Sequence, residues 1–173
     1  TGAIPTDSPE FDAAEKDVKD QLSKLINNNG TKTVDHFHRR LGKIMWENCG
    51  MARNEAGLTK AIAEIQELRA EFWKDVKVPG EQNDLNLELE KAGRVADFLE
   101  LGELMCRDAL TRSESCGGHY REESVDEEGE AKRDDVNFKF VSAWEFTGTP
   151  SEAVLHKEEL KFENIELKTR SYK

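Results

Sequence analysis

The chain has 173 residues, enough for one domain with a real core, yet only 36% are hydrophobic while 35% are charged. Lysine and arginine number 25 against 36 acids, a formal charge of −11, so repulsion makes nucleic acid and anionic lipid poor partners. No apolar run approaches the ~18 residues of a membrane span, and no secretory leader is expected.

Residues 1–8 read as an interdomain linker, because Thr1-Gly2-Ala3-Ile4-Pro5-Thr6 has neither cap nor periodicity. Ser8-Pro9 then supplies a cap with proline in the first helical turn. Phe11, Ala14, Val18, Leu22, Leu25 and Ile26 follow at helical spacing and are expected to face inward. Asn27-Asn28-Asn29-Gly30 stops this helix. A second helix opens at Thr31 or Thr33 and ends at Gly50, with Val34, Phe37, Leu41, Ile44 and Met45 as its inner stripe. A third is capped by Asn54, buries Leu58, Ala61, Ile62, Ile65, Leu68, Phe72 and Val76, and ends before Pro79-Gly80. The fourth runs from near Asn83-Asp84 to about Ser113, roughly thirty residues or about 45 Å at 1.5 Å rise. Its inner side is Leu85, Leu89, Val95, Ala96, Leu99, Met105 and Leu110. Gly93 and Gly102 each cost about 1 kcal/mol relative to alanine, which points to a kink or close packing there. Short connections imply antiparallel neighbours, so residues 9–121 are expected to form a spectrin-repeat-like, up-down bundle of three to four helices.

The pattern changes after Cys116-Gly117-Gly118. Residues 122–135 hold eight acids against Lys132 and Arg133 and read as a poorly ordered acidic loop. Residues 136–173 read as a β-rich tail. Val136, Phe138, Phe140, Trp144 and Phe146 recur mostly every second residue, and Gly148-Thr149-Pro150 signals a turn. Leu155, Leu160, Phe162, Ile165 and Leu167 suggest one or two further strands. A lone hairpin is marginal in water, so it must pack on the bundle or on an absent neighbour. The fold class is therefore mainly α with a C-terminal β-hairpin appendage.

Candidate chemistry is sparse. Cys49, Cys106 and Cys116 are an odd set at irregular spacing, which argues for a reducing compartment and against a disulfide framework, and no CxxC pair suggests zinc or iron–sulfur ligation. His36 and His38 sit two apart and face different ways on a helix, a poor metal pair. Cys49 and Cys106 lie on apolar stripes and read as buried small hydrophobes. Cys116 lies beside Arg112, His119 and Arg121, but a catalytic Cys–His pair lacks an orienting third group. Trp46, Trp73 and Trp144 read as core or interface anchors. There is no dinucleotide fingerprint, no P-loop and no Ser–His–Asp set, so no catalytic, cofactor-binding or metal residue is assigned. The dense feature is Arg112-Ser113-Glu114-Ser115-Cys116-Gly117-Gly118-His119-Tyr120-Arg121. It reads equally as a charge-assisted helix cap or as a docking loop facing a neighbouring domain.

That loop, taken as Arg112, Glu114, Ser115, Gly117, His119 and Arg121, resembles the loop near the C-terminus of succinate dehydrogenase and fumarate reductase flavoproteins. Upstream, the Leu41 to Arg53 segment with its Met45, Gly50 and Arg53, followed by Leu58, is similar to that family's helix end. The resemblance runs from about Ser8 to the tail. It departs where many relatives carry arginine and this chain has Cys116, a form that resembles the branch with a dihaem cytochrome b anchor. The resemblance implies a C-terminal helical domain of the flavoprotein subunit, with FAD held in an upstream domain of the same chain. It implies a parent that interconverts succinate and fumarate and passes electrons to an iron–sulfur subunit. It also implies a cytoplasmic place on the inner face of a bacterial membrane, with the cytochrome b anchor as an indirect partner. Arg53, Arg112, Glu114, His119 and Arg121 are family motif residues with a structural or interdomain role, and the fragment alone is expected to be inactive. The alternatives are a stand-alone helical interaction module and the equivalent domain of L-aspartate oxidase.

Overall fold

The computed structural model describes residues 5–168; the first four residues of the expected linker and the last five of the expected tail lie outside them. Four helices follow in order: α1 (Pro9–Ile26), α2 (Val34–Asn48), α3 (Glu55–Asp75) and α4 (Leu87–Thr111). Two short strands, β1 (Lys32–Thr33) and β2 (Val76–Lys77), lie among them, and β3 (Phe140–Glu145) and β4 (Val154–Glu159) form a hairpin. The chain is mainly α, a helical bundle with a C-terminal β-hairpin. Among the described residues no helix is long and apolar enough to cross a membrane.

The helix starts follow their caps. The Thr33 hydroxyl accepts the His36 amide at 3.2 Å, and Asn54 Oδ1 accepts the Gly57 amide at 2.7 Å. Asn86, rather than Asn83, caps α4 by accepting the Leu89 amide at 3.0 Å. Its own amide group donates to the Pro79 and Glu81 carbonyls at 2.9 and 3.2 Å, which holds the preceding turn. That shortens α4 to 25 residues.

The chain divides into two compact units. One comprises the described residues up to Arg39 with Leu68–Phe98, the other Arg40–Glu67 with the chain from Leu99 onward. In the first unit Val34, Phe37, Leu68, Phe72, Val76, Leu89 and Val95 form the core. The Phe37 and Phe72 rings meet edge to face at 5.3 Å. β1 and β2 pair in parallel, Lys32 opposite Val76 and Thr33 opposite Lys77, a contact too short to leave a period-two signal in sequence. The Asp75 carboxylate secures it. It accepts the Thr31 amide at 2.8 Å and hydroxyl at 2.9 Å, and it pairs with Lys32 at 3.3 Å. The Thr31 amide and hydroxyl, then Lys32, hold the Asp75 carboxyl below the usual range.

The expected inner stripe of α1 is corrected. Only Leu25 is buried; Phe11 and Val18 are 50% and 57% exposed. Bonds tie the end of this part of the chain down: Ser23 donates to Gln82 at 3.0 Å, Lys24 lies over the Trp73 ring and Asn28 donates to the Trp73 carbonyl. Helical spacing marks an apolar face without saying what covers it. Leu85 precedes the true start of α4 and is likewise exposed, as are Met105 and Trp46.

In the second unit Leu41, Leu58, Ala61, Ile65, Leu99, Cys106 and Ala109 form the core. α4 passes through both of its glycines as one helix. At Gly102 a Cβ would lie 3.4 Å from Leu41 Cδ1 and from Met45 Sδ, ordinary contact with packed neighbours; Gly93 faces open space. The hairpin packs on this unit. Trp144 Nε1 donates to Asp108 at 2.8 Å, and the fully buried Glu103 accepts from Ser151 and Gln66, both at 2.9 Å, and pairs with Arg107 at 2.8 Å. Val136 and Phe146 lie outside β3 and are exposed, and β4 takes up only Leu155 of the five apolar residues expected there. No strand follows Glu159 among the described residues. The acidic stretch is a loop, but one knitted by turns: Asp126 Oδ1 accepts the Glu128 and Glu130 amides at 2.9 and 2.8 Å, and Lys132 bonds by backbone to Ser115 and Ser124.

Two glycines in the first unit give opposite predictions. A Cβ at Gly30 would run into the Asp75 carbonyl, so Gly30→Ala is expected to lose about 1–3 kcal/mol. Gly93→Ala adds a helix former in open space and is expected to gain about 1 kcal/mol. Urea unfolding of both variants checks the pair, and a stable Gly30→Ala would contradict the close approach at Asp75.

Candidate functional site

The five motif residues lie in the second unit and converge. Gly117, at φ +59, and Gly118 close a turn in which the Cys116 and His119 backbones bond each other in both directions, at 2.8 and 3.0 Å. The turn returns the chain so that residues 120–122 run beside Arg53. The Arg53 amide donates to the Tyr120 carbonyl at 3.0 Å, and the Glu122 amide donates to the Arg53 carbonyl at 2.9 Å.

Side chains then lock this bridge. Arg53 Nη1 lies 2.9 Å from His119 Nδ1, and His119 Nε2 lies 2.8 Å from the Arg112 carbonyl. A guanidinium only donates and a carbonyl only accepts, so Nδ1 accepts and Nε2 carries the proton. The ring is neutral with one tautomer. Burial, opposed in part by the Arg112 carbonyl and reinforced by the charges of Arg53, Arg121 and Arg112, pushes the His119 pKa below its ordinary 6.5.

Arg121, only 3% exposed, donates to the Ala109 and Leu110 carbonyls at 2.9 and 3.3 Å. These belong to the last turn of α4, where the helix leaves carbonyls unpaired and favours a cation. Arg121 Nε pairs with Glu123 at 3.1 Å, and the other oxygen of Glu123 accepts the Glu55 amide at the start of α3 at 2.6 Å. The buried Ser115 hydroxyl clasps the Arg121 backbone on both sides, at 2.9 and 3.1 Å. Arg112 pairs with the buried Glu114 at 2.7 Å, donates to the Phe138 and Phe140 carbonyls, and lies over both rings. The second Glu114 oxygen accepts the Asp134 amide at 2.8 Å.

This arrangement uses its own polar groups. Both nitrogens of His119 are engaged by Arg53 and by a carbonyl, which leaves neither for the Cys116 thiol. No group of three candidate metal ligands occurs among the described residues. A cleft between α2 and α3 is lined by Arg40, Lys43, Glu47, Lys60, Glu64 and Glu67, alternating charges with only Ile44 as an apolar wall. Sequence reasoning passed over three members of the cluster: Glu122 and Glu123, hidden in the acidic run, and Phe138, counted as a strand residue. The acids sit one and two residues past Arg121, the spacing that could have flagged them.

Two predictions follow from this geometry. Folding holds His119 neutral, so its contribution to stability is complete above about pH 6.5 and is lost as pH falls through the lower folded value. His119→Gln keeps an acceptor and a donor without titrating. The stability of the parent chain relative to this variant is expected to fall as pH drops below 6.5, measured by urea unfolding. Arg121→Met leaves the α4 carbonyls and Glu123 without their cation, and is expected to cost about 3 kcal/mol by the same measurement.

Comparison with known proteins agrees with this architecture. The profile of the family described as fumarate reductase flavoprotein C-term matches residues 38–172. The fumarate reductase flavoprotein subunit of Proteus vulgaris is 32% identical over 136 residues, covering 79% of this chain and 22% of that protein. That of Escherichia coli is 31% identical over 121 residues, covering 70% and 19%. An L-aspartate oxidase of Synechocystis is 27% identical over 110 residues, covering 57% and 20%. Among solved structures, a quinol fumarate reductase chain of Escherichia coli superposes with a TM-score of 0.80 at 25% identity, covering 95% of this chain and 27% of that one. A quinol–fumarate reductase determined with menaquinol superposes at 0.78 and 27% identity, with the same coverage. The chain thus spans about a fifth of the length of the curated relatives it matches. The matched span begins within α2 and takes in Arg53, the 112–121 loop and the hairpin; this chain belongs to the fumarate reductase flavoprotein C-terminal family.

Proposed function

We propose that this chain serves as the C-terminal helical domain of a succinate dehydrogenase or fumarate reductase flavoprotein subunit, supporting the flavin domain and subunit assembly, with no catalysis of its own. In this reading the parent carries FAD upstream, interconverts succinate and fumarate, and passes electrons to an iron–sulfur subunit held at the inner face of the membrane by a cytochrome b anchor. One observation carries the reading. The motif residues Arg53, Arg112, Glu114, His119 and Arg121 satisfy one another and the helix ends, so their chemistry is that of a rigid docking element and not of a reaction centre. The L-aspartate oxidase alternative matches a smaller share of the chain, 57% against 79%, which favours the dehydrogenase reading.

The test is direct. Purified alone, the chain is expected to show no flavin absorbance and no succinate-driven dye reduction. Added to the separately produced upstream portion of its parent, it is expected to bind and to restore dye reduction. Flavin retained with turnover by the chain alone would refute the proposal, as would an upstream portion that is fully active and indifferent to the chain.

A further inference from the structure

The second unit contains a pair of cysteines that the docking reading does not use. Leu41, Met45 and Cys49 fall one turn apart along α2 and just past its end, and Gly102 and Cys106 fall one turn apart along α4. The two rows lie side by side in the same direction. Gly102 sits against Leu41 and Met45, and the Cys106 thiol lies 3.8 Å from Met45 Sδ. Cys49, whose amide bonds the Met45 carbonyl at 2.9 Å, is the next step along its row and so falls on the Cys106 side, and each thiol shifts the titration of the other. Gly102 faces the same neighbours: a Cβ there would stand in ordinary contact, 3.4 Å from both Leu41 Cδ1 and Met45 Sδ. Both thiols are free and buried, Cys49 at 6% exposure and Cys106 at 0%.

We propose that Cys49 and Cys106 are an oxidisable dithiol that hydrogen peroxide closes into a disulfide, stapling the end of α2 to α4. The chemistry divides between the partners. The neighbouring Cys106 thiol and the positive charge of Arg53 together favour the Cys49 thiolate against burial. Cys106 is pushed the opposite way by Cys49, burial and Glu103, and keeps its proton. The Cys49 thiolate attacks one peroxide oxygen, the O–O bond breaks, and hydroxide leaves with the electron pair to become water, giving a sulfenic acid. The Cys106 sulfur then attacks the sulfenic sulfur, and its proton leaves with the departing hydroxide as a second water. Two thiols are oxidised and one peroxide is reduced to two waters.

The experiment uses the whole chain carrying Cys116→Ser, which removes the exposed thiol as a route to intermolecular disulfides. After peroxide treatment and proteolysis without reductant, a peptide joining Cys49 to Cys106 is expected, the intact mass falling by two hydrogens and dithiothreitol reversing both. The rate is expected to rise with pH, because the thiolate is the attacking species. In Cys106→Ser, dimedone is expected to trap a sulfenic acid at Cys49; in Cys49→Ser, Cys106 is expected to stay reduced. The proposal is overturned if both thiols remain free to alkylate after unfolding, or if Cys49 collects oxygen while Cys106 stays reduced in the Cys116→Ser protein.

Discussion

The second unit depends on one buried cation. The Arg121 guanidinium lies where α4 runs out of hydrogen-bond partners, and the last-turn carbonyls of Ala109 and Leu110 receive it. A lone charge so buried would be costly. Here the helix end supplies partial negative charge, and Glu123 adds a full one on the wetter side. Glu123 in turn reaches the Glu55 amide at the start of α3, so a single cation and its carboxylate join the end of one helix to the beginning of another. Arg53 completes the set. It bonds the Gly50 carbonyl just past the end of α2 through Nε and His119 through Nη1. Three helix termini are thereby held by one loop, which gives the density of arginine in that loop a structural cause.

The acidic excess of the chain acquires a local meaning in the same region. Glu114 and Glu123 are not merely solvated charges; each faces an arginine with one oxygen and a backbone amide with the other. Such two-sided use fixes a carboxylate in place more firmly than an exposed ion pair does, since desolvated, charge-assisted bonds are the stronger ones. Glu103 plays the same part deeper in the unit. It gathers Gln66, Arg107 and Ser151, and so anchors the hairpin connection to helices that precede it in the chain.

Helix number, order and most boundaries were legible in the sequence because caps act locally: Thr33 and Asn54 each bond an amide three residues on. The hairpin was legible as period-two spacing, and the loop as an unusual density of charge. What escaped depends on long-range partners. The apolar face of α1 has the right spacing, yet Phe11 and Val18 are exposed, because spacing records amphipathicity and not the identity of the cover. Phe138 looked like a strand residue, yet its carbonyl goes to Arg112. The pairing of β1 with β2 occupies two residues on each side, below any periodic signal. Arg53 and His119 were recognisable as a motif, but that they bond each other across 66 positions could not be read from spacing.

Arg53 also links the two chemistries that survive in this unit. Its guanidinium donates to neutral His119, and its charge falls on Cys49 and Cys106. Protonating His119 removes the acceptor that orients the guanidinium and places a second cation beside it. Oxidising Cys49 and Cys106 removes the thiolate that the guanidinium stabilises. The two events act on the same side chain from different partners, and their signs differ: the first adds positive charge near Arg53, while the second takes away negative charge. Both leave the arginine with less compensation than in the reduced, neutral-histidine state. The 112–121 loop is therefore at its most tightly held when the thiols are reduced and the ring is unprotonated, since in that state Arg53 keeps its Nη1 acceptor on His119 as well as its Nε acceptor on the Gly50 carbonyl.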